Sequence, residues 1–62
     1  MSRDEASEAR VYVGAGLINL GRNESKAAED AFRKALEIDP KYHQAMVALA
    51  NLYLAMGNQE RG

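Results

Sequence analysis

The chain has no cysteine, no tryptophan, one proline and one histidine among its 62 residues. Each scarcity excludes something. Without cysteine no disulfide can staple the fold, and the usual Cys/His zinc site cannot be assembled from His43 alone. A metal could use His43 only if copies of the chain shared it, so no cofactor is expected. Charge of one sign is also missing. The net charge is −1 with acids and bases interleaved, which leaves no basic stripe for nucleic acid or an anionic membrane. No stretch approaches the roughly 18 apolar residues of a membrane span. The start, Met1-Ser2-Arg3-Asp4-Glu5, is polar and acidic, unlike a signal peptide. With the missing cysteine this leads to the expectation of a cytoplasmic protein. A domain of this size buries only about 60% of its unfolded surface. Its stability must come from close helix packing or from self-association.

What is present is Ala and Leu, with four aromatics, a composition that favours helix over strand. Three helices are expected, at about 4–20, 24–38 and 42–56, in one all-α domain spanning 1–62. Ser2 and Glu5 form a capping-box pattern ahead of the first. Gly21 reads as its C-terminal stop. Asn23, or alternatively Ser25, reads as the N-cap of the second. That helix is one-sided: Ala28, Ala31, Phe32, Ala35, Leu36 and Ile38 form its stripe, and Lys26, Glu29, Asp30, Arg33, Lys34 and Glu37 its wet back. Asp39-Pro40 ends it, because the residue before proline is driven out of the α region. The third helix reads AMVALANLYLAM over 45–56, with Asn51 its one polar residue. A helix that is apolar all round is expected to be buried all round. Gly57-Asn58 reads as its stop, and the polar tail from Gln59 to Gly62 is expected to add no element.

Ala28-x3-Phe32-x2-Ala35 ending at Pro40, then Met46-x2-Leu49-Ala50-x2-Tyr53, resembles the tetratricopeptide repeat, a helix–turn–helix unit of about 34 residues. The first half fits more loosely. There Val13-Gly14 and Leu17 stand at the opening motif, Arg10 falls where a large residue belongs, and the turn at Arg22–Ser25 is about two residues too long. The resemblance implies one and a half repeats in three antiparallel helices. Its motif core would be Val13, Gly14, Leu17, Ala28, Phe32, Ala35, Pro40, Leu49, Ala50 and Tyr53. Small residues there permit close approach and large ones fill the space left. The family's concave face often binds extended peptides. Here it would carry Val11, Tyr12, Ala15 and Ile18 from the first helix, and Val47, Asn51 and Leu54 from the third. The basic residues of a carboxylate clamp are missing from it.

The candidate chemical sites are weak. His43 has no ligand partner at helical spacing. The carboxylates Glu29, Asp30, Glu37 and Asp39 belong to a solvated face. Gly14-Ala15-Gly16 lies inside a helix, so close packing explains it better than phosphate binding. No nucleophile and base stand at a working spacing. A non-enzymatic protein–protein interaction module is expected, with no cofactor. Met46, Val47 and Leu54, joined by Val11, Tyr12 and Ile18, are expected to form one contiguous apolar patch. The expected partner is a second copy of the chain, most simply in a dimer. A peptide in the groove, or membership of a longer repeat scaffold, is the alternative. An engineered origin is compatible with either.

Overall fold

The computed structural model describes the backbone of residues 3–61 and the side chains of residues 7–57. Three helices follow one another: α1 (Arg3–Gly21), α2 (Ser25–Ile38) and α3 (His43–Arg61). The packing runs through α2, which lies against both α1 and α3, while α1 and α3 hardly meet. Ser2, expected to cap α1, lies outside the described residues, as does Gly62.

The core consists of Ala9 and Val13 from α1, Ala28, Phe32 and Ala35 from α2, and Ala45 and Leu52 from α3. Four of these seven are alanines, so the helices approach closely and one large side chain fills the centre. Phe32 is fully buried. Its ring lies on the backbone of Gly16, where an added Cβ would stand 2.5 Å from Cε1 and 2.8 Å from Cδ1. Gly14 has nothing within 4 Å of the equivalent position. The close-contact glycine is therefore Gly16 and not Gly14. The two are 200° apart around the helix at 3.6 residues per turn, so only one of them can face α2.

The turn between α1 and α2 also corrects the expectation. Asn23 is the left-handed residue, at φ 64°, and neither caps α2 nor leaves the stop to Gly21. The Glu24 N–H donates to the Asn19 carbonyl at 2.8 Å, and the Asn23 N–H to that of Leu20 at 3.0 Å. This is the Schellman pattern with asparagine at the left-handed position, which asparagine tolerates better than most residues. Glu24 is at once the last residue of that motif and the N-cap of α2. Its carbonyl accepts from the Ala28 N–H at 3.0 Å, and its side chain makes no capping bond. Ser25 is the first helical residue.

Asp39 ends α2 in an extended conformation, φ −136° and ψ 92°, as a residue before proline should. Its carboxylate accepts from the Lys41 N–H at 3.2 Å, and its carbonyl from the Tyr42 N–H at 3.0 Å. At the far end, α3 does not stop at Gly57-Asn58 but runs through them to Arg61, and Gly57 has no positive φ. The tail therefore prolongs a helix instead of lying outside one. A glycine in mid-helix costs only about 1 kcal/mol, and Gly57 adopts no left-handed conformation that would end the helix.

Two glycine substitutions should part in sign. Gly16→Ala gains helix propensity but drives a methyl into a buried ring, and should lower stability by about 1–2 kcal/mol net. Gly14→Ala gains the same propensity into open space and should raise stability by about 0.5–1 kcal/mol. Urea unfolding of the two variants beside the parent measures both; equal shifts would contradict the packing described.

Candidate functional site

Each outer helix carries two apolar faces, and α2 covers one of them on each. On α1 it covers Ala9, Val13 and Gly16, leaving Val11 and Ile18 at 69% and 64% exposed. On α3 it covers Ala45 and Leu52, leaving Met46, Val47 and Leu54 between 45% and 67% exposed. The covered and open faces trade places between the helices. Val11 and Ile18 recur 34 positions later as the buried Ala45 and Leu52. Val13 and Gly16 recur as the open Val47 and Ala50. The face that receives α2 in α1 is thus the face left bare in α3.

The expected interface residues do not all line one cavity. A groove of about 680 Å3 between α1 and α3 is lined by Leu17, Leu20, Tyr42, His43, Gln44, Val47, Ala48 and Asn51. Val11 and Tyr12 line a different cavity, of about 400 Å3, with Glu8, Lys34 and Ile38. Met46 and Leu54 line neither, and Ala15 and Ile18 are exposed on α1. Leu17, expected in the core, lines the groove and is 47% exposed. Of the other expected motif positions, Val13, Ala28, Phe32 and Ala35 are buried and Leu49 is half-buried, while Pro40, Ala50 and Tyr53 are exposed. Leu49 and Tyr53 both meet α2's flank, beside Arg33, Leu36 and Glu37. Leu52, fully buried but outside the motif, is signalled by the line Ala45, Ala48, Leu52, Met56 at helical spacing.

No cluster of three or more His, Cys, Asp or Glu side chains stands together among the described residues, and none of the described helices is long and apolar enough to cross a membrane. Among the described residues, one long-range side-chain bond runs across the α2–α3 boundary, where the exposed Tyr53 hydroxyl donates to Glu29 Oε2 at 2.9 Å. Donation to a carboxylate favours the neutral phenol, so the bond raises the Tyr53 pKa above 10.0. Desolvation and the Glu29 charge push the same way, against the lowering effect of Arg33. A tyrosine whose pKa is raised on folding contributes stability that is fully present below the unfolded value, about 10, and is lost as pH rises through the higher folded value. Glu29→Gln should lower the Tyr53 ionisation midpoint, read by NMR of ring-labelled tyrosine. An unchanged midpoint would show that the bond does not form.

Two family models, both described as tetratricopeptide repeat, match residues 9–42 and 31–62. The first spans one whole repeat with Pro40 in place, so the turn holds no extra residues and the opening motif shifts by two. Tyr12-x2-Ala15-Gly16-x2-Asn19 takes the positions expected of Arg10, Val13-Gly14 and Leu17, in agreement with the Gly16–Phe32 contact. Counting 34 residues back from Ala50 would have found it. Among curated proteins, the chain is 36% identical over 55 residues to a pentatricopeptide repeat-containing protein of Arabidopsis thaliana, covering 89% of this chain and 9% of that one. It is 43% identical over 51 residues to the type IV pilus assembly protein PilF of Pseudomonas aeruginosa, covering 82% of this chain and 19% of that one. The chain therefore spans less than a fifth of either relative. No solved structure matches significantly. Repeats of this kind are typically non-catalytic modules that bind other proteins or peptides. With its three helices, its Gly16–Phe32 packing and models matching across residues 9–62, this chain belongs to the tetratricopeptide repeat family.

Proposed function

We propose that this protein–protein interaction module associates with a second copy of itself through the open face of α3. The observation that supports this is the row Met46, Val47 and Leu54, each 45–67% exposed along one helix, with the exposed Ala50 among them to allow close approach. Covering such side chains contributes about 1–1.5 kcal/mol each. Two copies together gain about 6–9 kcal/mol before the cost of association, which starts near 4 kcal/mol. The balance, about 2–5 kcal/mol, favours a weak dimer, of submillimolar strength at best, with the same patch on both partners.

Sedimentation equilibrium at about 1 mM, above the dissociation constant that this balance implies, should give a mass above 6.8 kDa. Leu54→Glu should restore the monomer with its helicity intact, because Leu54 makes no core contact. A well-folded monomer of the parent would refute the proposal, and an unchanged mass in the variant would place the interface elsewhere.

The groove between α1 and α3 favours a second reading, an extended peptide held on its concave side. Its lining is mostly apolar, with Asn51, Gln44 and Tyr42 to orient a backbone, the composition of a ligand cleft. Leu17→Glu separates the two readings. It should abolish capture in a peptide screen while leaving the mass unchanged, since it leaves untouched Met46 and Leu54, which lie outside the groove.

A further inference from the structure

The groove between α1 and α3 stands apart in its chemistry. Its eight lining side chains include no carboxylate, ammonium or guanidinium group, and His43 is the one among them that takes up a proton near neutral pH. Charge is not scarce elsewhere. Three other cavities hold Arg33 and Glu37, Glu8 and Lys34, and Arg10. A charged group that enters the groove between α1 and α3 loses water and meets no partner of opposite sign, which is costly. An aliphatic side chain that enters it covers Leu17, Leu20 and Val47, which are 39–47% exposed, and is stabilised there.

We infer that this groove selects an internal, uncharged aliphatic segment of a peptide and discriminates against charged side chains and chain termini. This rests on the reading of the groove as a peptide cleft, and names what the cleft takes. The polar part of the lining fits the same occupant. Gln44 and Asn51 carry neutral amides, which donate to a backbone carbonyl and accept from a backbone N–H without burying a charge. A terminal carboxylate or ammonium needs an ion beside it, and the lining offers none of fixed charge. From His43 to Asn51 the α3 wall runs about 12 Å at 1.5 Å per residue, the span of about four extended residues. Alternate side chains of an extended segment point the same way, so two aliphatic residues two positions apart face the lining.

The probes are octapeptides with blocked ends, a neutral fluorophore and a central Val-Ala-Leu-Ala flanked by Gly and Ser. A second form has Glu in place of the Leu, a third has Lys there, and a fourth ends after the Leu in a free carboxylate. Each is titrated by fluorescence anisotropy with the full-length protein and with its Leu17→Glu and Gln44→Lys variants. The neutral form should bind the parent saturably and Leu17→Glu not at all. The Glu, Lys and free-carboxylate forms should bind the parent about tenfold more weakly or worse. Gln44→Lys sets an ammonium group in the lining at an exposed position. It should bring the Glu and free-carboxylate forms level with the neutral one or above it, and leave the Lys form weak. Equal binding of charged and neutral forms to the parent, or a preference for the free carboxylate, overturns the inference and leaves the peptide cleft standing. An order unchanged in Gln44→Lys does the same. No saturable binding of any form, or equal binding of the neutral form to Leu17→Glu, removes the cleft and the inference with it.

Discussion

The absence of one side chain, at Gly16, lets the Phe32 ring lie on the α1 backbone, and the rest of the molecule is arranged around that contact. With the ring seated, α2 can come close enough to α1 for Ala9, Ala28 and Ala35 to be fully buried despite their size. On its other side α2 takes Ala45 and Leu52 of α3. The core is a single aromatic ring ringed by alanines with aliphatic residues at its edges. Packing at the density of protein interiors depends on such pairing of one large with several small residues.

The same geometry explains why a chain of this size presents so much apolar surface. An outer helix in this arrangement carries two apolar faces, and a single central helix covers only one of each. Val11 and Ile18 on α1, and Met46, Val47 and Leu54 on α3, are left bare for that reason. Their exposure follows from the repeat itself, in which identical positions alternate between buried and open according to whether a neighbour is present. Stacking neighbours buries these faces and stabilises each unit through its interfaces. In this molecule the physics that builds the fold and the physics that holds a partner are the same.

Much of this was legible in the sequence. The one-sided stripe of α2 and the proline after it locate that helix and its buried residues, because burial on one face leaves a periodic record. The apolar circumference of α3 announces more apolar surface than three helices can cover. Other features were not legible, for stateable reasons. Gly14 and Gly16 are equivalent in composition, and only the ring of a residue sixteen positions away distinguishes them. Asn23 suits both an N-cap and a left-handed C-terminal residue, and the short turn decides between them. Gly57 suits a helix stop, yet it takes no left-handed conformation and α3 runs through it. The expected patch residues line different cavities because apolar periodicity shows how wide a face is, not which cavity it borders.

The contact between Gly16 and Phe32 is directly observable. In a nuclear Overhauser spectrum of the protein, the Gly16 Hα protons should show strong cross-peaks to the Phe32 ring protons and a chemical shift displaced by the ring current. Cross-peaks from the Phe32 ring to Gly14 instead of Gly16 would contradict the register on which the buried core and the open face of α3 both depend.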